Sequence, residues 1–482
     1  MSRPPTEARP MRSHYSRLFG GPFPGHDETE LRVLSARMKD IPQNRRGRLR
    51  RGDLAPSALV YLGQFLAHDL TRDETPLEQV SADAEKIENC HTPRLNLESM
   101  YGDGPENSPQ LYDLTERGCA TFLLGKTIAT PQLQIASTRD DFFRDEGRPL
   151  LADHRNDQHL ILAQLHVVFL QFHNQLVRLL KHRAFAEHIF QHETIFDAAR
   201  RLTTWHYQWI VRHEFLNYFV LPEILIDIER HGPRLFRPNG APPSLPIEFT
   251  QAAFRFGHAM VQPQYDINCW RGLVKLRDLI RRVRPDESSP ALSADQVIDW
   301  DRFTRSWGAN ANFAENIDTL VSEDLFNLPG AAMPVRTSMP PPPLPEMTLL
   351  RGSRIGLPSG QEACRSAGVK SIPESQIGFD REETDFLRTH GLSERTPLWY
   401  YLLREAEALG IRRFRGGECL GPLGGRIVAE VLLGVLNSDP THYLNASPDW
   451  RPLEIRFGKT SEPRRLDTLR KFLAFAKDRS KA

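Results

Sequence analysis

A mainly α-helical fold built as one large domain is what this sequence predicts, and three observations predict it. Apolar residues recur at i, i+3, i+4 over long stretches, above all at 62–71, 157–183, 195–219 and 421–436. Hydrophobic residues make up 40% of the 482, with 26 Phe, enough for a large core. Two-residue alternation is confined to one short polar loop and a turn-rich stretch at 110–150. Lys and Arg number 62 against 61 Asp and Glu, so the charge balance points to neither nucleic acid nor an anionic membrane as partner.

Taken in order, residues 1–50 are rich in Pro, Arg and Gly and predict an N-terminal arm, with a short helix near Glu28–Met38. Residues 51–482 form the domain. The first core helix carries Leu62, Phe65, Leu66 and Leu70 on one face, while Gln64 and His68 sit four apart and point the same way. A long helix is expected at about Asp157–Arg183, capped by Asn156 or Asp157 and burying Leu160, Leu165, Phe169, Phe172 and Leu176. His166 and His173 lie seven apart on it; a metal pair needs four, so both are expected to pack or hydrogen-bond. A further helix is expected at about Ile195–Phe219. The stretch 246–263 closes with Pro263 and puts Phe254, His258 and Val261 on one helical face, with Gly257 leaving room for something flat and bulky. Seven prolines at 329–345 predict an extended linker. Helices at Thr396–Leu409 and Gly421–Leu436 follow, then a polar, basic tail. The short basic clusters Arg45–Arg51 and Arg412–Arg415 are expected to be solvated surface.

Five widely spaced cysteines, Cys90, Cys119, Cys269, Cys364 and Cys419, form no C-x-x-C pair, which argues against a disulfide framework or a cysteine zinc site. No run of about 18 apolar residues suggests a membrane span. The first ten residues lack the apolar centre of a signal peptide, so the cytoplasm is the expected compartment, with export lacking such a signal as the alternative.

One loop and three widely separated residues carry chemistry. In 91–104, Thr92, Arg94, Asn96 and Glu98 alternate with Pro93, Leu95 and Leu97. Hydroxyl, carbonyl, amide and carboxylate oxygens on one side of a loop are hard donors of the kind calcium takes. Separately, His258, His68 and Arg155 could supply an axial ligand, a proton shuttle and a cation, the three parts that peroxide chemistry at a heme needs.

These motifs resemble the animal-type heme peroxidase family (the peroxidase–cyclooxygenase superfamily), its bacterial members most closely. The resemblance rests on Gly63-Gln-Phe-Leu-Ala-His-Asp-Leu-Thr71, Thr92-Pro-Arg-Leu-Asn-Leu-Glu-Ser-Met-Tyr-Gly102, Arg155 with Leu165–Asn174, Phe254-Arg-Phe-Gly-His-Ala-Met-Val-Gln-Pro263, Leu349–Gly360 and Gly417–Leu433. It implies heme between a distal and a proximal helix, with His258 as iron ligand, His68 and Arg155 acting on peroxide, and Gln64 beside them. It also implies a calcium site of Asp69, Thr92, Arg94 by its carbonyl, Asn96 and Glu98, and heme contacts from Gln158, Thr348 and Arg351. Tyr101 and Gly102 take structural roles.

The chain departs from the family in four places. Many members esterify heme through an Asp and a Glu where this chain has Ala67 and Gln158, so a non-covalent heme b is expected. Many place an Asn against the proximal imidazole where this chain has Thr348. Fatty-acid-oxidising members use a radical-forming Tyr where this chain has Arg255. The implied activity is reduction of hydrogen peroxide with oxidation of a small organic or halide reductant, as in a response to oxidative stress. A cyclooxygenase-like fatty-acid dioxygenase and a non-catalytic heme-binding protein are the alternatives.

Overall fold

In a computed structural model, residues 13–41, 55–83, 86–238, 242–280, 290–305, 308, 310–328, 342–413, 415–456 and 462–478 are described. The Pro-rich linker falls mostly, and the Arg45–Arg51 cluster entirely, outside them. Helices dominate, as the periodicity predicts. Among the described residues strands occur only in two-stranded ladders, three of them hairpins in the turn-rich stretch before residue 150.

Eight helices carry the argument: α1 (Glu28–Arg37), α2 (Ser57–Leu70), α3 (Leu160–Leu180), α4 (Ile195–Ile210), α5 (Leu344–Arg354), α6 (Leu398–Leu409), α7 (Pro422–Ser438) and α8 (Leu469–Lys477). α1 starts where Asp27 accepts hydrogen bonds from the Thr29 and Glu30 amides. The N-terminal segment is tied into the core: Ser13–His14 pairs with Glu88–Asn89, and Lys39–Asp40 pairs with Val321–Ser322. Tyr15, Leu31, Leu34 and Met38 are buried.

α3 differs from expectation at both its start and its surroundings. Its cap is His159, whose Nδ1 accepts from the Ile161 amide at 3.1 Å. Residues His154–Asp157 form a separate 3-10 turn capped by Asp153. The helix is buried on every side rather than on one face. It is long and apolar enough to cross a membrane, with mean hydropathy 1.3, yet its whole apolar window lies inside protein; this is how a central core helix reads. His173 is hydrogen-bonded by Tyr101 at 3.0 Å and lies 3.3 Å from the Ala120 carbonyl, while His166 packs edge-on against Phe65 and Phe142.

The tail is not simply polar. α8 lays Leu469, Phe472, Leu473, Phe475 and Ala476 against α3, and Phe472 stacks on Phe172 with ring centres 3.7 Å apart. α4 continues through a π-turn, Val211–Phe215, to Phe219. That turn carries Phe215 to Gly63 of α2, where any side-chain carbon would stand 3.1 Å from the ring. At the start of α7, the Leu423 and Gly424 amides donate to the buried Glu405 carboxylate at 3.0–3.1 Å. Gly421 permits this approach, since a Cβ there would sit 2.5 Å from Glu405. Burial pushes Glu405 up to about 7.

Candidate active site

On α2 the core face is sealed, but Gly63, Gln64, Ala67 and His68 form an accessible stripe; Gln64 is exposed and His68 half-buried. The i, i+1, i+4, i+5 spacing of that stripe is one helical face. His68 hydrogen-bonds Asn156 through Nδ1 at 2.8 Å. With Nδ1–H donated to the Asn156 carbonyl oxygen, Nε2 is the nitrogen with a free lone pair. Burial, then the Arg155 charge, lower the His68 pKa to about 4, so the imidazole is neutral above that value.

Arg155 is held by its neighbour in the 3-10 turn. Asp153 accepts from Nε at 3.0 and 3.1 Å and from Nη2 at 2.5 Å, and Nη2 also donates to the His68 carbonyl at 2.9 Å. The same carboxylate caps the turn by accepting the Arg155 amide at 2.9 Å. Burial would raise the Asp153 pKa, but Arg155 and His91 outweigh it and hold it well below the ordinary range. Gln158 ends the turn, half-buried.

His258 lies on a 3-10 segment, Ala253–Met260, which follows a short α-helix (Ile247–Gln251) across a break at Ala252. This corrects the expected face. At three residues per turn Arg255, His258 and Val261 eclipse one another, and Phe254 turns aside. The Arg255 guanidinium is held by Gln251 at 2.6 Å, the Thr250 carbonyl at 3.1 Å and the Thr348 hydroxyl at 3.4 Å. It contacts no carboxylate among the described residues. Burial and the Arg351 charge lower its pKa to about 10. The His258 Nδ1 is buried with no hydrogen-bond partner, and burial, then Arg255, bring its pKa to about 3. Thr348, at the position where a hydrogen-bond partner is expected, donates back to the Leu344 carbonyl at 2.9 Å. Trp399 packs edge-on behind His258, ring centres 6.1 Å apart. Arg351 pairs with Asp73 and donates to the Thr75 carbonyl at 3.0 Å.

These residues fit a flat anionic heme. A Cβ at Gly257 would meet nothing within 4 Å. The unpartnered His258 and the Arg255 guanidinium with no carboxylate beside it suit an iron ligand and a carboxylate-binding cation. Sequence reasoning missed Asn156 as the partner of His68, and also missed Asp153 and Tyr15. Tyr15 comes from the N-terminal segment; its hydroxyl is buried without a partner, and the charges of Asp73, Arg351 and Arg155 act on it.

In the 92–98 loop, burial alternates as expected: Pro93, Leu95 and Leu97 are buried while Thr92, Arg94, Asn96 and Glu98 are half-buried. The loop is not extended, however. Leu95 and Leu97 take φ of 53° and 60°, left-handed conformations that cost an L-residue about 1–3 kcal/mol each and cluster at ligand clamps. Asp69 is fully buried; its carboxylate accepts from the Leu97 amide at 3.1 Å, the Ser99 amide at 3.3 Å and the Tyr207 hydroxyl at 3.3 Å. Burial raises its pKa to about 6. The Ser99 hydroxyl is buried without a partner. A buried carboxylate beside an orphaned hydroxyl suits a cation. Among the described residues, however, no three His, Cys, Asp or Glu side chains converge as a metal site. The site would therefore rest on two carboxylates and neutral oxygens.

Comparison with known proteins bears on the family and the fold. The chain is 29% identical over 206 residues to heme peroxidase 2 of Caenorhabditis elegans, covering 41% of this chain and 27% of that protein. It is 29% identical over 117 residues to a peroxidase-like protein of Margaritifera margaritifera, covering 24% and 14%. The chain thus spans well under a third of either relative. Among solved structures, peroxidase A of Dictyostelium discoideum superposes with a TM-score of 0.57 at 16% identity, covering 89% of this chain and 88% of that one. A fatty acid alpha-dioxygenase of Oryza sativa superposes at 0.56 and 14% identity, covering 96% and 79%. These likenesses concern the fold. The family model for animal haem peroxidase matches residues 83–370, a span that includes the 92–98 loop, Arg155, His258, Thr348 and Arg351. With more than half of the sequence inside that match, the chain belongs to the animal haem peroxidase family.

Proposed function

We propose that this protein is a heme-dependent peroxidase that reduces hydrogen peroxide and oxidises a small organic or halide donor. The observation that carries the reading is geometric: His68, bonded through Nδ1 to Asn156, stands beside an Arg155 that is held by Asp153 and donates to the His68 carbonyl. A protein that merely stores heme needs the axial ligand alone. Heme, when bound, supplies the iron that cleaves the peroxide bond and takes electrons from the donor. His258 would ligate that iron and Arg255 would hold a heme carboxylate, with Arg351, paired with Asp73, adding positive charge nearby. His68 Nε2 accepts the proton of the peroxide's inner oxygen and delivers it to the outer oxygen, which leaves as water. The Arg155 cation stabilises the charge on the departing oxygen. Gln64, one turn before His68, shares its face. Asp69, Thr92, the Arg94 carbonyl, Asn96 and Glu98 would take calcium, and through Asp69 that ion would steady the helix bearing His68.

A second reading, fatty-acid dioxygenation, is favoured by the structural likeness to the plant enzymes. Against it stands Arg255, a guanidinium that cannot form the required radical. The test loads the protein with heme and measures peroxide-dependent dye oxidation alongside oxygen uptake with an unsaturated fatty acid. Dye oxidation lost in His68→Ala, without fatty-acid-dependent oxygen uptake, supports the peroxidase reading. Oxygen uptake with no dye oxidation contradicts it.

A further inference from the structure

The carboxylate that holds Arg155 has a second side-chain partner, from outside the 3-10 turn. His91 immediately precedes the 92–98 loop, and its side chain is 7% exposed. Its Nε2 lies 3.1 Å from Asp153 Oδ2, and its Nδ1 is turned toward Glu98 Oε1 at 3.8 Å. Asp153 is almost wholly buried, 1% exposed, and Oδ2 is the oxygen that takes the shortest bond from Arg155 Nη2. One carboxylate oxygen is thus shared between His91 and the guanidinium. With Oδ1 already held by the Arg155 backbone amide, His91 adds the second fixed point, on Oδ2, that sets the plane of the carboxylate and of the guanidinium paired with it.

We propose that His91 is a positioning residue for Arg155: through its Nε2 it locks the Asp153 carboxylate in the plane that presents the guanidinium side-on. The polar loop then clamps the peroxide site twice. Asp69, bonded to the loop amides, adjoins His68 on α2, and His91, beside Thr92, fixes Arg155. This rests on the reading of Arg155 given under Proposed function.

The experiment uses the full-length, heme-loaded protein. His91→Phe keeps the ring and removes both nitrogens; His91→Arg offers a fork of donors able to reach two carboxylates. Misplacing a stabilising group by about 1 Å can cost up to about a hundredfold. His91→Phe is expected to slow the reaction with peroxide by up to that factor and leave the donor KM unchanged. It should also weaken fluoride binding, read from the visible spectrum, because the Arg155 cation would stabilise an anion bound at the peroxide site. His91→Arg, which offers donors to the same carboxylate, is expected to restore both toward the parent values. If His91→Phe does not fold, His91→Gln, which keeps one donor, is expected to lose less but measurably. Peroxide rate and fluoride affinity both unchanged in the variant that folds, whatever its melting temperature, would overturn the proposal. So would equal impairment of His91→Phe and His91→Arg. Arg155→Ala separates the two claims: normal peroxide reactivity in that variant rejects the role of Arg155, while fluoride binding still decides whether His91 orients it.

Discussion

Replacing Asn156 by Asp converts a neutral acceptor into an anion in contact with the proton shuttle. The His68 Nδ1 to Asn156 Oδ1 distance is 2.8 Å. With charge centres about 4 Å apart and an effective dielectric near 20, the attraction between carboxylate and imidazolium is about 4 kcal/mol, roughly three pKa units. Arg155 competes for the new charge, so a rise of about two to three units is the reasonable range. His68, at about 4 in the parent, would then titrate at about 6–7. The sign follows directly. A raised pKa keeps the imidazole protonated to higher pH, and a protonated imidazole cannot accept the peroxide proton. At pH 5 the parent is mostly neutral and the variant mostly charged, so the bimolecular rate with peroxide should fall about tenfold to a hundredfold. At pH 8 the two should agree. Stopped-flow rates across pH 4–9 read this as a displaced acid limb. Asn156→Leu is the control: it leaves Nδ1–H without an acceptor and should lower the rate at every pH without moving the limb. An acid limb that stays in place in Asn156→Asp would refute the assignment of His68 as the base.

Further outcomes are expected. Phe472→Ala empties the stack between α8 and α3 and should cost about 3–5 kcal/mol in a urea titration; a loss under 1 kcal/mol would mean that α8 is dispensable to the core. Chelation should lower the melting temperature and the activity, both returning with calcium, which at a hundredfold excess over its Kd contributes about 2.7 kcal/mol. Active protein free of calcium by metal analysis would contradict that site. Because Ala67 and Gln158 offer no carboxylate, heme should extract into acidic organic solvent with unmodified mass; heme retained by the denatured chain would require another attachment residue.

The helix bearing Gln64 and His68 was legible because its apolar and accessible stripes differ cleanly at helical spacing. So was the alternation of residues 92–98, since pattern and burial coincide there. The conformation of that loop was not, because nothing in Leu95 or Leu97 announces a left-handed backbone; tertiary contacts impose it. The His258 segment carries apolar residues at both three- and four-residue spacing, so its sequence does not distinguish an α from a 3-10 helix. Asn156 has good capping chemistry, and its true partner, His68, lies 88 residues away. The α8 helix did leave a signal, since Leu469, Phe472, Leu473 and Ala476 keep i, i+3, i+4, i+7 spacing. Its basic neighbours hid it.

Rapid mixing of heme-loaded protein with hydrogen peroxide reads whether His68 moves the peroxide proton at a heme held by His258. A fast change in the Soret band of the parent is expected, slowed about 10²–10⁴-fold in His68→Ala with heme content unchanged, and absent in His258→Ala. A His68→Ala protein that reacts within a few-fold of the parent rate would contradict that role for His68.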